Sequence, residues 1–155
     1  MKMVIIEEYD KDKHVDEVNE LVTNIRLTDI REAAGMGYDD ISEGVNVSLE
    51  QSACAYVAKG SACEVIGIFG VSAIEHKNYG RAVWFLGTNA LDEYQREFIR
   101  HSKTIIEQFL KEYGQLYNYV SVGNDTSIRW LKSLGADFSE PFEINGEKFV
   151  LFLID

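Results

Sequence analysis

The chain has 155 residues, 46% of them hydrophobic and 12% aromatic, a typical length for one domain with enough apolar side chain for a packed core. Fifteen Lys plus Arg against 26 Asp plus Glu leave a formal charge of -11, which argues against binding by neutralising nucleic-acid phosphates or an anionic membrane surface and leaves basic partners open. No apolar run approaches the ~20 residues that span a bilayer: Val4 to Ile6 is followed at once by Glu7 and Glu8, and Phe149 to Ile154 is the longest late run.

Met3 to Glu8 reads as a first strand. His14 to Leu27 then places Val15, Val18, Val22 and Ile25 along one helical face. Thr28 or Asp29 is expected to cap a second short helix, because Asp29 with Glu32 three positions on has the form of a capping box and Gly35 to Gly37 ends the segment. Ser48 with Gln51 looks like another helix start. Cys54 to Ala58, Glu64 to Glu75 and Arg81 to Thr88 follow as strands joined by glycine-containing hairpins, an antiparallel meander.

A long helix is expected from about Leu91 to Tyr113, burying Phe98, Ile99, Ile105, Ile106, Phe109 and Leu110 and stopped by Gly114. Tyr117 to Val122 is the next strand, punctuated by Gly123-Asn124. A short helix should start at Asn124 or Asp125, bury Ile128, Leu131 and Leu134, and end on a left-handed Gly135. Strands Phe142 to Ile144 and Lys148 to Ile154 close the chain around Asn145-Gly146, a strong hairpin signal. With Pro141 the only proline and no repeat or low-complexity tract, residues 1–155 read as a single domain.

Cys54 and Cys63 are placed to face each other across the Lys59-Gly60-Ser61 turn, yet the first residues do not resemble a secretory signal, so a reduced pair in the cytoplasm is expected. These two and His14, His76 and His101 show none of the short paired spacings of a zinc site, and no metal is expected. No Gly-x-Ser-x-Gly turn presents a nucleophile. Trp84 and Trp130 should pack in or beside the core.

The element order, the run from Asn124 to Gly135 and the strand Arg81-Ala-Val-Trp-Phe-Leu-Gly-Thr88 together resemble the GNAT (Gcn5-related N-acetyltransferase) superfamily over nearly the whole chain. The resemblance implies an α+β fold with a mixed, mostly antiparallel sheet flanked by helices, in the order β-α-α-β-β-β-α-β-α-β-β. It also implies acetyl-CoA as cofactor and a small-molecule or protein amine as acceptor. A narrower resemblance lies in Arg26, Asp29 and Glu32, in Ile68-Phe-Gly-Val71, in Trp84-Phe-Leu-Gly-Thr88, and in Leu116-Tyr-Asn118 with Arg129-Trp-Leu131. It is to small GNAT-like bacteriophage proteins labelled acetyltransferases or internal virion proteins. That implies a phage origin, a place in the host cytoplasm or the virion, and a protein partner as the alternative to an amine substrate.

Carried over residue by residue, the resemblance would have backbone groups of Leu86, Gly87 and Thr88 hold the pantetheine and acyl carbonyl, Asn124 orient CoA, and Arg96 stand in a remnant of the pyrophosphate loop. The departures are specific. The family's Gln/Arg-x-x-Gly-x-Gly/Ala loop frees backbone N–H groups for phosphate, but no glycine lies between Thr88 and Tyr113, and Asp92 and Glu93 occupy that first turn. They suit the helix dipole and repel an anion. Two lost charge-assisted hydrogen bonds, at roughly 1.5–3 kcal/mol each, would abolish useful CoA affinity.

Leu131 falls where many family members place the tyrosine that protonates the departing thiolate. Water or Tyr119 remain as substitutes, and no catalytic residue is assigned. The strand from Arg81 to Thr88 carries no carboxylate or histidine, and the other nearby titratable candidates, Glu75, His76 and His101, read as solvated hairpin or helix residues before functional ones. Arg96, Arg100 and Lys103 form a basic stripe that is either a phosphate or acidic-partner site or a solvated face paired with Asp92, Glu97 and Glu107. Arg26, Asp29 and Glu32 either line the cleft opposite Asn124 and fix an amine or a partner, or form a cap with helix ion pairs; Asn124 itself is either a ligand-orienting group or a cap. Two functions therefore stand: a divergent acyl-CoA-dependent N-acetyltransferase, or a GNAT scaffold reused for binding.

Overall fold

The computed structural model describes residues 2–155. Its strands are β1 (Ile5–Glu8), β2 (Ser52–Lys59), β3 (Val65–His76), β4 (Gly80–Gly87), β5 (Leu116–Ser121), β6 (Asp137–Phe138), β7 (Phe142–Ile144) and β8 (Glu147–Ile154). The helices are α1 (Val15–Asn24), α2 (Leu27–Gly35), α3 (Ile41–Glu50), α4 (Leu91–Tyr113) and α5 (Asp125–Ser133). One mixed sheet runs β1-β2-β3-β4-β5-β8-β6, with β7 paired to β8. This is the mostly antiparallel, helix-flanked sheet expected.

Alternation along each strand decides what lies on either side. On one face, Phe69, Val83, Val120 and Phe152 meet Phe98, Ile106 and Phe109 of α4 and Trp130 and Leu131 of α5. On the other, Val57, Val65 and Ile68 meet Leu21 and Ile25 from the α1 segment and Val45 of α3. β3 is buried on both sides from Val65 to Val71, as a central strand must be. Each large apolar side chain fully buried here contributes about 1.5–3 kcal/mol.

Among the described residues the only parallel pairing is β4 with β5, and it is short. Arg81 pairs with Leu116 and Ala82 with Tyr117, after which the ladder stops. Asn118 Nδ2 donates to the Val83 carbonyl at 2.9 Å, so a side chain takes over where the backbone strands part. The opening that results positions the candidate site.

The long helix spans Leu91–Tyr113 as its periodicity indicates and is stopped by Gly114 at φ 81. Asn124 caps α5 by accepting from Ser127 N–H at 3.2 Å. Asn145 and Gly146 both take positive φ, 49 and 84, which fits a tight primed turn between β7 and β8.

Four expectations are corrected. The third helix starts at Ile41, where Asp40 accepts from Ser42 N–H at 3.0 Å, and not at Ser48; the Ser48 hydroxyl instead donates to the Gly44 carbonyl at 2.9 Å inside that helix. Neither Thr28 nor Asp29 caps α2, which begins after an extended Arg26 and has no side-chain cap, because the Asp29 carboxylate is engaged elsewhere. Cys54 lies opposite Val71, whereas Cys63 sits in the turn at φ 65, so the two free thiols do not face each other. A further short strand, β6, follows Gly135 and pairs Asp137 with Leu153. Among the described residues no helix is long and apolar enough to cross a membrane.

Candidate functional site

Where β4 and β5 part, a cavity of about 230 Å³ opens under α2. Its apolar wall includes Trp84, Phe85, Trp130 and Phe149, and its polar groups include Asp29, Glu32 and Ser127. The close approach of α2 depends on Gly35, where a Cβ would come within 2.9 Å of the Phe149 ring.

Arg26, Asp29 and Glu32 recur every third residue and so share the inward side of α2. Arg26 binds Asp29 through two parallel bonds, Nε to Oδ2 at 2.9 Å and Nη2 to Oδ1 at 2.8 Å. The pair is buried, with Arg26 6% and Asp29 1% exposed. Arg26 also lies over the Phe85 ring, 5.4 Å from its centre, and reaches Ser127 Oγ at 3.5 Å. Burial pushes the Asp29 carboxyl up, opposed by the Arg26 charge and by the hydrogen bond from Gly87.

Glu32 Oε1 accepts from the Ser121 backbone N–H at 3.0 Å and from Asn124 Nδ2 at 2.8 Å. Asn124 is 2% exposed and its Oδ1 is the α5 cap, so each end of its amide is committed. Desolvation raises the Glu32 carboxyl to about 7, with the Asn124 bond opposing and the Asp29 charge adding. Arg26, Asp29, Glu32 and Asn124 therefore form one network that ties α2 to β4, β5 and α5. The sequence reading missed its other members. Ser121 Oγ donates to Glu147 Oε1 at 2.8 Å, and the one available signal was a polar residue, Asn118 or Ser121, inside an apolar strand.

The groups that the GNAT resemblance would give to acetyl-CoA are engaged within the protein. Gly87 N–H donates to Asp29 Oδ2 at 2.8 Å, and its carbonyl accepts from Arg26 N–H at 2.9 Å. Leu86 pairs with Ile68 of β3. Thr88 N–H donates to the Ile66 carbonyl at 3.0 Å and its hydroxyl to the Val65 carbonyl at 2.7 Å. At the start of α4, Ala90 N–H donates to Thr88 Oγ1 at 3.2 Å, and the N–H groups of Leu91, Asp92 and Glu93 donate to the carbonyls of Thr88, Asn89 and Ala90 at 3.1 Å.

The groove before that helix start is lined by Glu20 and Glu64. Between α4 and α5 only about 10 Å³ remains, since Phe85, Phe98 and Trp130 lie with ring centres 5.1 to 5.8 Å apart. Arg96 is exposed on α4 and lines neither the cavity nor that gap. Arg100 of the same stripe pairs with Glu97. Leu131 is 2% exposed in the core and offers no proton. A pyrophosphate needs free N–H donors and positive potential, whereas the N–H groups at this helix start are bonded within the chain and its flanking side chains are acidic.

A family model described as bacteriophage T7, probable scaffold protein Gp13, matches residues 63–143. The probable scaffold protein gp13 of Escherichia phage T7 is 30% identical over 121 residues, which cover 76% of this chain and 84% of that protein. Among solved structures, an acetyltransferase of the GNAT family from Bacillus anthracis has a TM-score of 0.66 at 12% identity, covering 99% of this chain and 98% of that one. A spermidine N-acetyltransferase from Vibrio cholerae, in complex with CoA and spermine, has a TM-score of 0.63 at 13% identity, covering 98% and 95%. At such identities the likeness to the enzymes concerns the fold alone.

Proposed function

Because the chain belongs to the bacteriophage T7 Gp13 family of probable scaffold proteins, we propose that it serves as a GNAT-fold protein-binding module in phage particle assembly, and not as an acyl-CoA-dependent N-acetyltransferase. The observation that carries this reading is the closure of the Gly87 edge: its N–H is bonded to Asp29 of α2 and its carbonyl to Arg26, the residue just before that helix. Opening it would strip a buried carboxylate of a donor and an arginine of its place, at a cost that no anionic ligand facing Asp92, Glu93, Glu20 and Glu64 would offset.

One feature favours the enzyme. Glu32, raised to about 7 beside a cavity, has the protonation range of a general base. In the binding reading the same carboxyl is structural, because Ser121 and Asn124 both donate to it. With Asn124 and Glu32 occupied by each other, the network fixes how α2 sits on the open sheet and presents a rigid surface. The protein then acts in the host cytoplasm during assembly or inside the virion, and its charge of -11 suits a basic protein surface.

Purification of a tagged chain from infected cells should recover a stoichiometric complex with a structural protein of the particle. Recovery of the chain alone would contradict the binding reading.

A further inference from the structure

We infer that the uncovered half of the sheet, built on Tyr79, Tyr117, Tyr119 and Phe142, docks an arginine-bearing basic segment of a partner protein; this rests on the binding-module reading above. On the face packed by α1 and α3, the cover extends from β2 and β3 to Trp84 and Leu86 of β4, α2 reaches Ser121 of β5 and Phe149 of β8, and Tyr119 stands at the edge of the cavity between them, with Tyr117 and Tyr79 beyond it. Tyr117 and Tyr119 alternate with the core residues Leu116 and Val120, so they project on this second face. The register sets Leu153 beside Tyr117 and Leu151 beside Tyr119.

The rings form a continuous row. His76 stacks on Tyr79 at 4.6 Å, Tyr79 lies 5.5 Å from Tyr117, Tyr117 6.5 Å from Tyr119, and Tyr119 5.6 Å from Phe142. His76 is exposed, Phe142 is 37% exposed and the tyrosines are half-buried. Among the described residues, none of these three tyrosine hydroxyls has a hydrogen-bond partner, whereas Tyr94 in the core has two. Rigid rings with free polar tips are the side chains that interfaces favour.

Charge selects the occupant. Residues 136–155 carry Asp137, Glu140, Glu147 and Asp155, while Glu143 lies with the single cation Lys148 on the opposite face. Asp137 stands directly beside Leu153 in the same cross-strand row as Tyr117. Lys148 pairs with Glu143 on the opposite face from Phe149, and Arg81 is turned to the other side over the Tyr113 ring at 5.1 Å. Tyrosine faces flanked by carboxylates attract guanidinium groups by cation–π and ionic contact together. Two copies of a chain charged -11 would instead set Asp137 against like charge, and nucleic acid would be repelled.

The test uses a synthetic peptide of alternating arginine and leucine, titrated calorimetrically. Wild type should bind it, and Tyr117→Ser with Tyr119→Ser should weaken binding by about tenfold or more. The pair Asp92→Asn and Glu93→Gln, which removes two charges at the start of α4, should leave it unchanged. Equal binding by the tyrosine variant, or equal weakening by both, would overturn the surface. So would a wild-type dimer, seen by sedimentation, that the tyrosine variant loses, because the occupant would then be a second copy. Tyr117→Phe with Tyr119→Phe keeps the rings and should retain the peptide, which separates loss of the surface from loss of folding. In infected cells, a tyrosine variant that recovers the same partner as wild type sinks this surface alone. A wild type that recovers none sinks the binding module, while the peptide titration still decides the surface.

Discussion

Asp29→Ala is expected to lower the free energy of unfolding by about 3–5 kcal/mol, a large share of the roughly 5–15 kcal/mol that a domain has. The carboxylate is 1% exposed and accepts from Arg26 twice and from Gly87 N–H once. Truncation leaves a guanidinium buried without its counter-charge and a β4 donor without an acceptor. Replacing both partners, with Arg26→Met and Asp29→Leu, should recover part of that loss, since an apolar pair carries no desolvation penalty while the Gly87 N–H still lacks its acceptor. Urea unfolding of the two variants against wild type measures both effects. A loss under about 1 kcal/mol for Asp29→Ala would mean that the pair does not clamp α2 to β4.

Glu32 should make stability fall as pH rises. Its folded pKa is about 7, against an ordinary value of 4.5, because burial disfavours the charged form. Between these values the folded chain keeps the proton that the unfolded chain has released, so unfolding releases a proton and the slope of stability with pH is negative. It approaches about 1.4 kcal/mol per pH unit, with a total on the order of 3 kcal/mol that is fully lost once pH exceeds the folded value. Glu32→Gln keeps an acceptor for Ser121 and Asn124 and removes the titration. It should be more stable than wild type at about pH 8 and show a flatter profile. Asp29 is also shifted upward by burial, which leaves some slope of the same sign in the variant. Parallel profiles for the two proteins would show that Glu32 is ionised in the folded state throughout.

Much of the fold was legible because local signals agreed with the global packing. The i, i+3, i+4 spacing from Leu91 to Tyr113, the Gly114 stop and the Asn145-Gly146 turn each have one physical solution. The element order then led to the GNAT fold. The third helix was misplaced because Asp40, a good cap, was overlooked in favour of Ser48, whose hydroxyl bonds back within the helix.

The buried network was legible in part of its membership and illegible in its wiring. Arg26, Asp29, Glu32 and Asn124 were singled out, but Asp29 and Glu32 resemble a capping box in sequence. Only the tertiary fold turns them inward, one onto Gly87 and the other onto Asn124. Backbone hydrogen bonds of Gly87 to a distant helix leave no trace in composition or spacing. The absent glycines before α4 and Leu131 in place of a tyrosine did point to the same conclusion, for the independent reasons of anion binding and proton donation.

The most direct test of that conclusion is calorimetric titration of the purified chain with acetyl-CoA. The closed Gly87 edge and the satisfied first turn of α4 predict no binding heat at ligand concentrations of about 1 mM, where a dissociation constant of that size would correspond to about 4.1 kcal/mol of binding free energy. A saturable heat at one-to-one stoichiometry, weakened by Asn124→Ala, would contradict it and return the chain to the acetyltransferases.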